Sequence, residues 1–393
     1  MWKFGWFSCS NPFSPTPALT WLMRHDVRFV MSQGDTPYMY YPSQPLTYAG
    51  VDITPISKTD TYVEIAKHHQ AQRSEPGTWA PFIAWAKANN RPFYYMPDDH
   101  EWGGDNWDHT ITQANDPGLN IGCVNQTEVN YHWNQGMLAA RQYMTDNPVN
   151  GDVASVTGDI PAQALVGDTP SASNYPTNYF RVGYDLDGNV TNTNPYIEFF
   201  VIDTISYRHP VSAVDNSSKT MLGASQKAWL KSKLVASEAT FKPILTNKKL
   251  YQNTGSDNTD TWGKYTTERD EILAHFDSNG VTGSPWLAGD RHVPCVMEAA
   301  KSAGAAADVL CVCACPVGVP NNADGPSMTL SAYHTWLSKQ PSIGLGHNVF
   351  GLGIVDDGRL TLQIRSAATN GVMWEGYMVP SSNIVYKPKT RVS

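Results

Sequence analysis

Short apolar runs alternate with amphipathic helical patterns along most of the chain, and this alternation is typical of an α/β fold. The apolar runs are the predicted strands of a β-sandwich. They lie at Lys3–Ser8, Arg28–Ser32, Pro92–Met96, Ile197–Asp203, Pro243–Thr246, Ser284–Ala288 and Val309–Cys315.

Two helical patterns between these runs are especially clear. The segment 223–234 places Leu230 and Leu234 on one face, and Ser225 is its predicted N-cap. A second pattern covers 267–279, where Asn279 and the glycine after it suit a helix C-terminus. We therefore expect helices to flank the sandwich.

From Val349 onward the pattern changes to alternating strands that are separated by Asp-Gly at 357–358 and Asn-Gly at 370–371. These dipeptides favour tight hairpin turns, so the pattern predicts antiparallel C-terminal strands at a sheet edge.

The stretch from about 103 to 195 differs from the rest, because it is rich in Asn, Thr, Gly, Pro and aromatic residues and has one helical pattern at 129–145. We interpret it as a long insertion over the carboxyl ends of the strands, where α/β folds place their sites. The prediction is a single domain over 1–393 that carries this insertion.

Composition narrows the class of protein. The 393 residues are 41% hydrophobic and 16% charged, which predicts a folded globule. Lys and Arg number 28 and Asp and Glu number 36, a net charge of −8 with no basic run, which argues against sequence-specific nucleic-acid binding. No apolar stretch approaches the roughly 18 residues of a membrane span, and the first residues lack the pattern of a signal peptide.

Candidate chemistry is concentrated where predicted strands end. The first strand ends in Ser-Cys at 8–9, the second in Gly-Asp at 34–35, the third in Asp-Asp-His-Glu at 98–101, and a later one in Gly-Asp-Arg-His at 289–292. Any single one of these would most often be a solvated loop. Four together predict a multinuclear metal site, because each donor would be held by a rigid element.

Three cysteines at 311, 313 and 315 could bind a soft metal, but a short apolar strand with small side chains is more often part of the core. Their spacing is poor for disulfides, so we expect free thiols.

The order of the strand-end motifs makes the chain recognisable. It resembles the alkaline phosphatase D (PhoD-like) family of the calcineurin-like metallophosphoesterases. The motifs are Ser8-Cys9, Gly34-Asp35-x-x-Tyr38, Asp98-Asp99-His100-Glu101, Asp203-Thr204 with Tyr207-Arg208, Leu222-Gly223-x-x-Gln226, and Gly289-Asp290-Arg291-His292.

The resemblance implies a metallophosphoesterase-like β-sandwich and hydrolysis of phosphate mono- or diesters by a metal-activated hydroxide. It implies ferric iron (Fe3+) and calcium (Ca2+) as metals, with other divalent metals possible. The residues that it implies as metal ligands, with Asp35 between the two metals, are Cys9, Asp35, Tyr38, Asp99, Asp290 and His292.

Two further residues would contact the substrate. His100 matches the histidine that binds the phosphoryl group, and Arg208 is the second arginine of a motif whose first arginine is Ile205 here. Arg208 could instead be a surface or salt-bridging residue. Phosphate esters, small or polymeric, are the expected substrates, and nothing in the motifs separates monoesters from diesters.

One hypothesis from another class stays open. A non-catalytic protein could keep the fold and bind ligands on the aromatic residues of the insertion. We favour the enzyme, because a degenerate fold need not preserve every expected metal ligand.

Overall fold

The structure is a computed structural model, and it describes residues 1–10, 15–36, 38, 44–101, 125, 127–129, 131–133, 135–136, 139, 179–191, 193–250, 261–290, 292, 294–299, 308–318, 334–337 and 348–380. The α-helices that are described over their whole length are α1 (Pro17–Arg24), α2 (Tyr62–Arg73), α3 (Trp79–Ala88), α4 (Gly223–Ala236) and α5 (Thr266–Ser278).

The strands in the described ranges are β1 (Trp2–Phe7), β2 (Val30–Ser32), β3 (Leu46–Tyr48), β4 (Val51–Ile53), β5 (Phe93–Tyr95), β6 (Phe180–Tyr184), β7 (Ile197–Ile202), β8 (Ile244–Thr246), β9 (Trp286–Ala288), β10 (Cys295–Ala299), β11 (Val309–Cys313), β12 (His334–Leu337), β13 (Val349–Asp356), β14 (Arg359–Ser366) and β15 (Val372–Met378).

Among the described strands, two large sheets form. The first has the order β15-β14-β13-β1-β2-β5, and the second has the order β12-β10-β11-β9-β8-β7-β6. β1, β2 and β5 run parallel, as do β7, β8, β9 and β11. The carboxyl ends of several parallel strands therefore meet at one edge of each sheet.

The two sheets pack face to face with helices outside. Alternate residues of β1, such as Phe4, share a core with Phe199 and Leu245 of the second sheet. Phe7 points to the opposite side and packs with residues of α1 and α3. The outer face of the second sheet, which includes Trp286, packs with residues of α4 and α5. The predicted sandwich flanked by helices is confirmed.

Each of the seven predicted strands overlaps an observed strand, and β13, β14 and β15 are the expected antiparallel edge. The predicted N-cap at Ser225 is wrong, because α4 begins two residues earlier, at Gly223. Backbone N–H groups before the helix are bound by the Glu268 carboxylate, and that of Gly223 donates to Thr220 Oγ1. Neither acceptor follows from the helical pattern.

Most of the predicted insertion, and most of the helix within it, lie outside the described residues. At the end of that stretch, β6 pairs antiparallel with β7, so residues 180–184 belong to the second sheet. The remaining insertion and the single-domain organisation stay predictions. Among the described helices, none has the length and apolar character required to cross a bilayer.

Close approach of β1 and β13 makes a testable contribution to stability. Gly351 lies opposite Trp6, and a Cβ added to Gly351 would overlap the indole ring. We expect Gly351→Ala to lower the free energy of unfolding by about 1–3 kcal/mol through overpacking, measured by denaturant titration. Gly371→Ala, at an exposed turn, is the control. Equal stability of wild type and Gly351→Ala would contradict this packing.

Candidate metal centre

The four predicted strand ends converge at the junction of the two sheets. Reciprocal amide contacts fix this junction. Gln33, after β2, donates from Nε2 to the Thr246 and Leu287 carbonyls at 3.0 and 2.5 Å. Asn247, after β8, donates from Nδ2 to the Gln33 and Pro97 carbonyls at 3.0 and 3.1 Å. The loop after β2 is thereby bonded to strands β8 and β9, and the loop after β8 is bonded to the loops that follow β2 and β5.

Backbone conformation is unusual at the same place. Four expected metal ligands have a φ in the left-handed region, namely Cys9 (61°), Asp35 (55°), Asp290 (66°) and His292 (54°). Such a conformation costs about 1–3 kcal/mol per residue and is retained only where the surroundings enforce it. Strain concentrated at these residues supports a functional role for them.

A first set of donors, here called the thiol site, consists of Cys9, Asp35 and His292, whose ligand atoms lie within 4.8 Å of one another. Tyr38 adjoins it, with its hydroxyl 2.7 Å from His292 Nε2 and 3.4 Å from Asp35 Oδ2. Cys9 Sγ is 3.3 Å from Asp35 Oδ2. The structure thus brings together Cys9, Asp35, Tyr38 and His292, four of the six expected metal ligands.

A second set, the histidine site, consists of Asp35, Asp99 and His100. His100 Nε2 is 4.0 Å from a carboxylate oxygen of each aspartate, and its ring lies over Tyr38 with 4.3 Å between ring centroids. His100 is therefore near enough either to bind a metal or to face a substrate beside one.

A third set, the carboxylate cluster, consists of Asp35, Asp98, Asp99 and Asp290. The Lys248 ammonium lies among them, with Nζ 2.8 Å from Asp98 Oδ1, 2.9 Å from Asp290 Oδ1 and 3.6 Å from Asp99 Oδ2. Asp98 belongs to a predicted strand-end motif but was not an expected ligand, and Lys248 was not an expected member of the centre. Lys248 follows β8, so its position at a strand end was the available signal.

Asp35 belongs to all three sets and is fully buried. Burial raises the pKa of Asp35, Cys9 and Tyr38 well above their ordinary values, and the neighbouring acidic groups raise them further. Among the described residues, Asp35 Oδ1 has no hydrogen-bond partner. A metal ion would stabilise the ionised forms of these groups, so the donors of the thiol site fit a cation.

Glu101 positions the loops around Asp35. Its carboxylate accepts hydrogen bonds from the backbone N–H groups of Asp35, Thr36 and Asp98 and from the Tyr95 hydroxyl, at 2.6–3.0 Å. Burial raises its pKa to about 7. The sequence showed Glu101 only as part of an acidic run, because its role depends on contacts with distant backbone.

Cys315 lies near the thiol site, although the sequence pattern assigned it to the core. Its Sγ lies 3.0 Å from Cys9 Sγ, and it accepts a hydrogen bond from the His292 backbone N–H. Cys311 and Cys313 lie within β11 and are buried, as the core interpretation expects, and the described cysteines are free thiols.

Arg208 is fully buried in the loop after β7, which excludes the surface alternative. The loop is fixed at Asp203, whose carboxylate accepts from the Ile205 and Ser206 N–H groups. Gln226 of α4 also bonds both the N–H and the carbonyl of Asp203. Contact between Arg208 and a substrate stays a prediction.

The model of the PhoD-like phosphatase family matches residues 4–356, which is most of the sequence. The chain belongs to the PhoD-like phosphatase family. The resemblance seen in its strand-end motifs is therefore confirmed, and membership implies a hydrolase that acts on phosphate esters. No curated protein matches the sequence.

Solved structures agree with the PhoD-like fold. A structure of PhoD superimposes with a TM-score of 0.72 at 15% identity, covering 100% of this chain and 72% of that one. Purple acid phosphatase PPD1 from yellow lupin (Lupinus luteus) seeds superimposes with a TM-score of 0.52 at 10% identity, covering 96% of this chain and 53% of that one. At these identities the likeness shows the fold alone.

The positioning role of Glu101 can be tested against a matched carboxylate. Glu75 also accepts from backbone N–H groups, those of Gly77, Thr78 and Trp79, but it lies outside the three donor sets. We expect Glu101→Gln and Glu75→Gln each to lower the free energy of unfolding by about 1–3 kcal/mol, because each amide meets N–H donors with a poorer acceptor.

Metal content should separate the two variants of this PhoD-like chain. Glu101→Gln should bind less metal per chain, measured by inductively coupled plasma mass spectrometry, because the Asp35 loop loses its support. Glu75→Gln should bind as much as wild type. Equal metal content in both variants would show that Glu101 stabilises the fold without orienting Asp35.

Proposed function

We propose that this chain hydrolyses phosphate esters at a centre built from the thiol site and the histidine site. The observation that carries the proposal is Asp35, which is buried, held in a left-handed conformation and shared by all three donor sets. A protein that only bound ligands on aromatic residues would gain nothing from maintaining this strain.

Iron in the ferric state is the proposed metal of the thiol site. Cys9, Asp35 and His292 would hold it, with Tyr38 as a further ligand, because anionic sulfur and oxygen donors stabilise a trivalent ion. A bound metal ion acts as a Lewis acid that lowers the pKa of water and neutralises charge on phosphoryl oxygens.

Calcium is the second metal that the resemblance implies, and it prefers oxygen donors. The carboxylate cluster supplies such oxygens, and Asp99 and Asp290 would be its ligands there. Lys248 Nζ already lies 2.8–2.9 Å from two of these oxygens, so calcium does not fit the cluster as it stands. The iron assignment does not depend on calcium.

His100 is the proposed catalytic residue of the chain itself. Its Nε2 lies 4.0 Å from a carboxylate oxygen of Asp35 and 4.0 Å from a carboxylate oxygen of Asp99. From there Nε2 can donate a hydrogen bond to a phosphoryl oxygen and give its proton to the leaving alcohol. Asp35 and Asp99 would stabilise the protonated ring.

Arg208 is the proposed second contact to the phosphoryl group. A guanidinium suits phosphate because its N–H groups form paired hydrogen bonds with two oxygens. With Ile205 in place of the first arginine, one such pair is missing, which favours substrates of lower charge than a monoester dianion. We therefore expect diesters to be cleaved as well as monoesters.

The proposed function is tested by measuring iron content beside hydrolysis of 4-nitrophenyl phosphate and bis(4-nitrophenyl) phosphate. Wild type should contain iron, show a visible absorption band from thiolate and phenolate ligands, and release nitrophenol from at least one ester. Cys9→Ser should shift or remove the band and lower the iron content.

Cys311→Ser is the matched control, because Cys311 is equally buried but lies within β11. It should keep the band and the iron. If Cys9→Ser keeps both as well, Cys9 is not an iron ligand, and if iron-loaded wild type cleaves neither ester, the proposed reaction is wrong.

His100→Ala should behave differently from a ligand variant. We expect kcat to fall by about two orders of magnitude, the usual loss when one preorganised donor is removed, while iron content is unchanged. Iron is measured on the same preparation that is assayed. A simultaneous loss of iron would assign His100 to the metal instead of the substrate.

A further inference from the structure

The ammonium of Lys248 is completely buried inside the carboxylate cluster. Its backbone is fixed, because Thr246 Oγ1 bonds both the N–H and the carbonyl of Lys248 at 3.3 and 3.2 Å. The neighbouring Asn247 is tied to Gln33 and Pro97 across the sheet junction. The lysine is thus directed into the cluster by the fold.

Electrostatics explain why a cation is needed there. Four carboxylates that meet in a buried place repel one another, and each would lose hydration without compensation. The Lys248 ammonium approaches three of them within 3.6 Å and supplies one fixed positive charge. A buried lysine so placed performs the electrostatic role that a metal ion performs in an acidic cluster.

We propose that Lys248 is the built-in cation of the carboxylate cluster and excludes calcium from it. Calcium binds oxygens at about 2.3–2.6 Å and requires six to eight of them. Nζ lies 2.8 Å from Asp98 Oδ1 and 2.9 Å from Asp290 Oδ1, so the ammonium and a calcium ion would compete for the same oxygens. This role of Lys248 in catalysis rests on the proposed function, because it concerns the same centre.

The consequence for the centre is a division of roles. The Lys248 ammonium provides positive charge but cannot coordinate a water molecule as a metal ion does. It therefore holds Asp98, Asp99 and Asp290 in place without activating a nucleophile. Activation falls to the thiol site and the histidine site. Hydrolysis by this chain should therefore be independent of calcium.

Calcium binding tests the proposal directly. Calcium chloride is titrated calorimetrically into iron-loaded wild type and into Lys248→Gln, which removes the charge but keeps a polar side chain. Wild type should bind no calcium at the carboxylate cluster. Any calcium that wild type binds elsewhere should therefore bind equally well to Asp98→Asn. Lys248→Gln should gain one calcium ion per chain, with an affinity at least about tenfold above any binding by wild type, because four carboxylates become available.

Lys227→Gln is the matched control. Lys227 is also ion-paired with carboxylates, 2.8 Å from Glu271 and 3.6 Å from Glu268, but it lies on α4 away from the centre. Its loss should leave calcium binding unchanged. Resistance of wild-type hydrolysis to a calcium-selective chelator is the second readout.

Two results would overturn the inference. One is a calcium ion that binds to wild type and is lost in Asp98→Asn. This result can be obtained even if Lys248→Gln does not fold. The other is a folded Lys248→Gln that gains no calcium. Absence of iron or of ester hydrolysis in wild type would instead overturn the proposed function, while the difference in calcium binding between the two proteins could still be measured on the same chain.

Discussion

Burial of negative charge is the constraint on which the rest of this structure depends. Asp35, Asp98 and Asp99 are almost completely buried at the sheet junction, together with the thiol of Cys9 and the phenol of Tyr38. Their mutual repulsion and lost hydration raise the free energy of the folded state unless protons or cations compensate. The centre therefore exists only where the surrounding fold is rigid enough to hold these groups together.

The sandwich supplies that rigidity by placing the carboxyl ends of parallel strands from both sheets at one junction. The side chains of Gln33 and Asn247 cross the junction in opposite directions. Neither sheet can therefore slide past the other without breaking the hydrogen bonds that these amides donate. Glu101 then fixes the N–H groups of Asp35 and Thr36. These contacts can sustain the left-handed conformations that a solvent-exposed loop would relax.

Strand positions were predictable because buried strands have a continuous apolar pattern, and donors at strand ends were predictable because topology brings such ends together. The roles of Lys248 and Cys315 were not, since each residue type has a common alternative explanation. A lysine after a strand is usually solvated, and a cysteine after an apolar run is usually core. Only the three-dimensional contacts with Asp98 and Cys9 distinguish these cases.

Asp35 connects the thiol site with the carboxylate cluster, because it belongs to both. The Lys248 ammonium lies within 3.6 Å of the other three carboxylates of the cluster, and this leaves the Asp35 carboxylate available to a metal ion at the thiol site. Burial raises the pKa of Asp35, and Asp98, Asp99 and Asp290 raise it further, so Lys248 acts on Asp35 through the carboxylates that lie between them in the cluster. A change of charge at position 248 should therefore alter the thiol site through Asp35, even though Lys248 is not one of that site's donors.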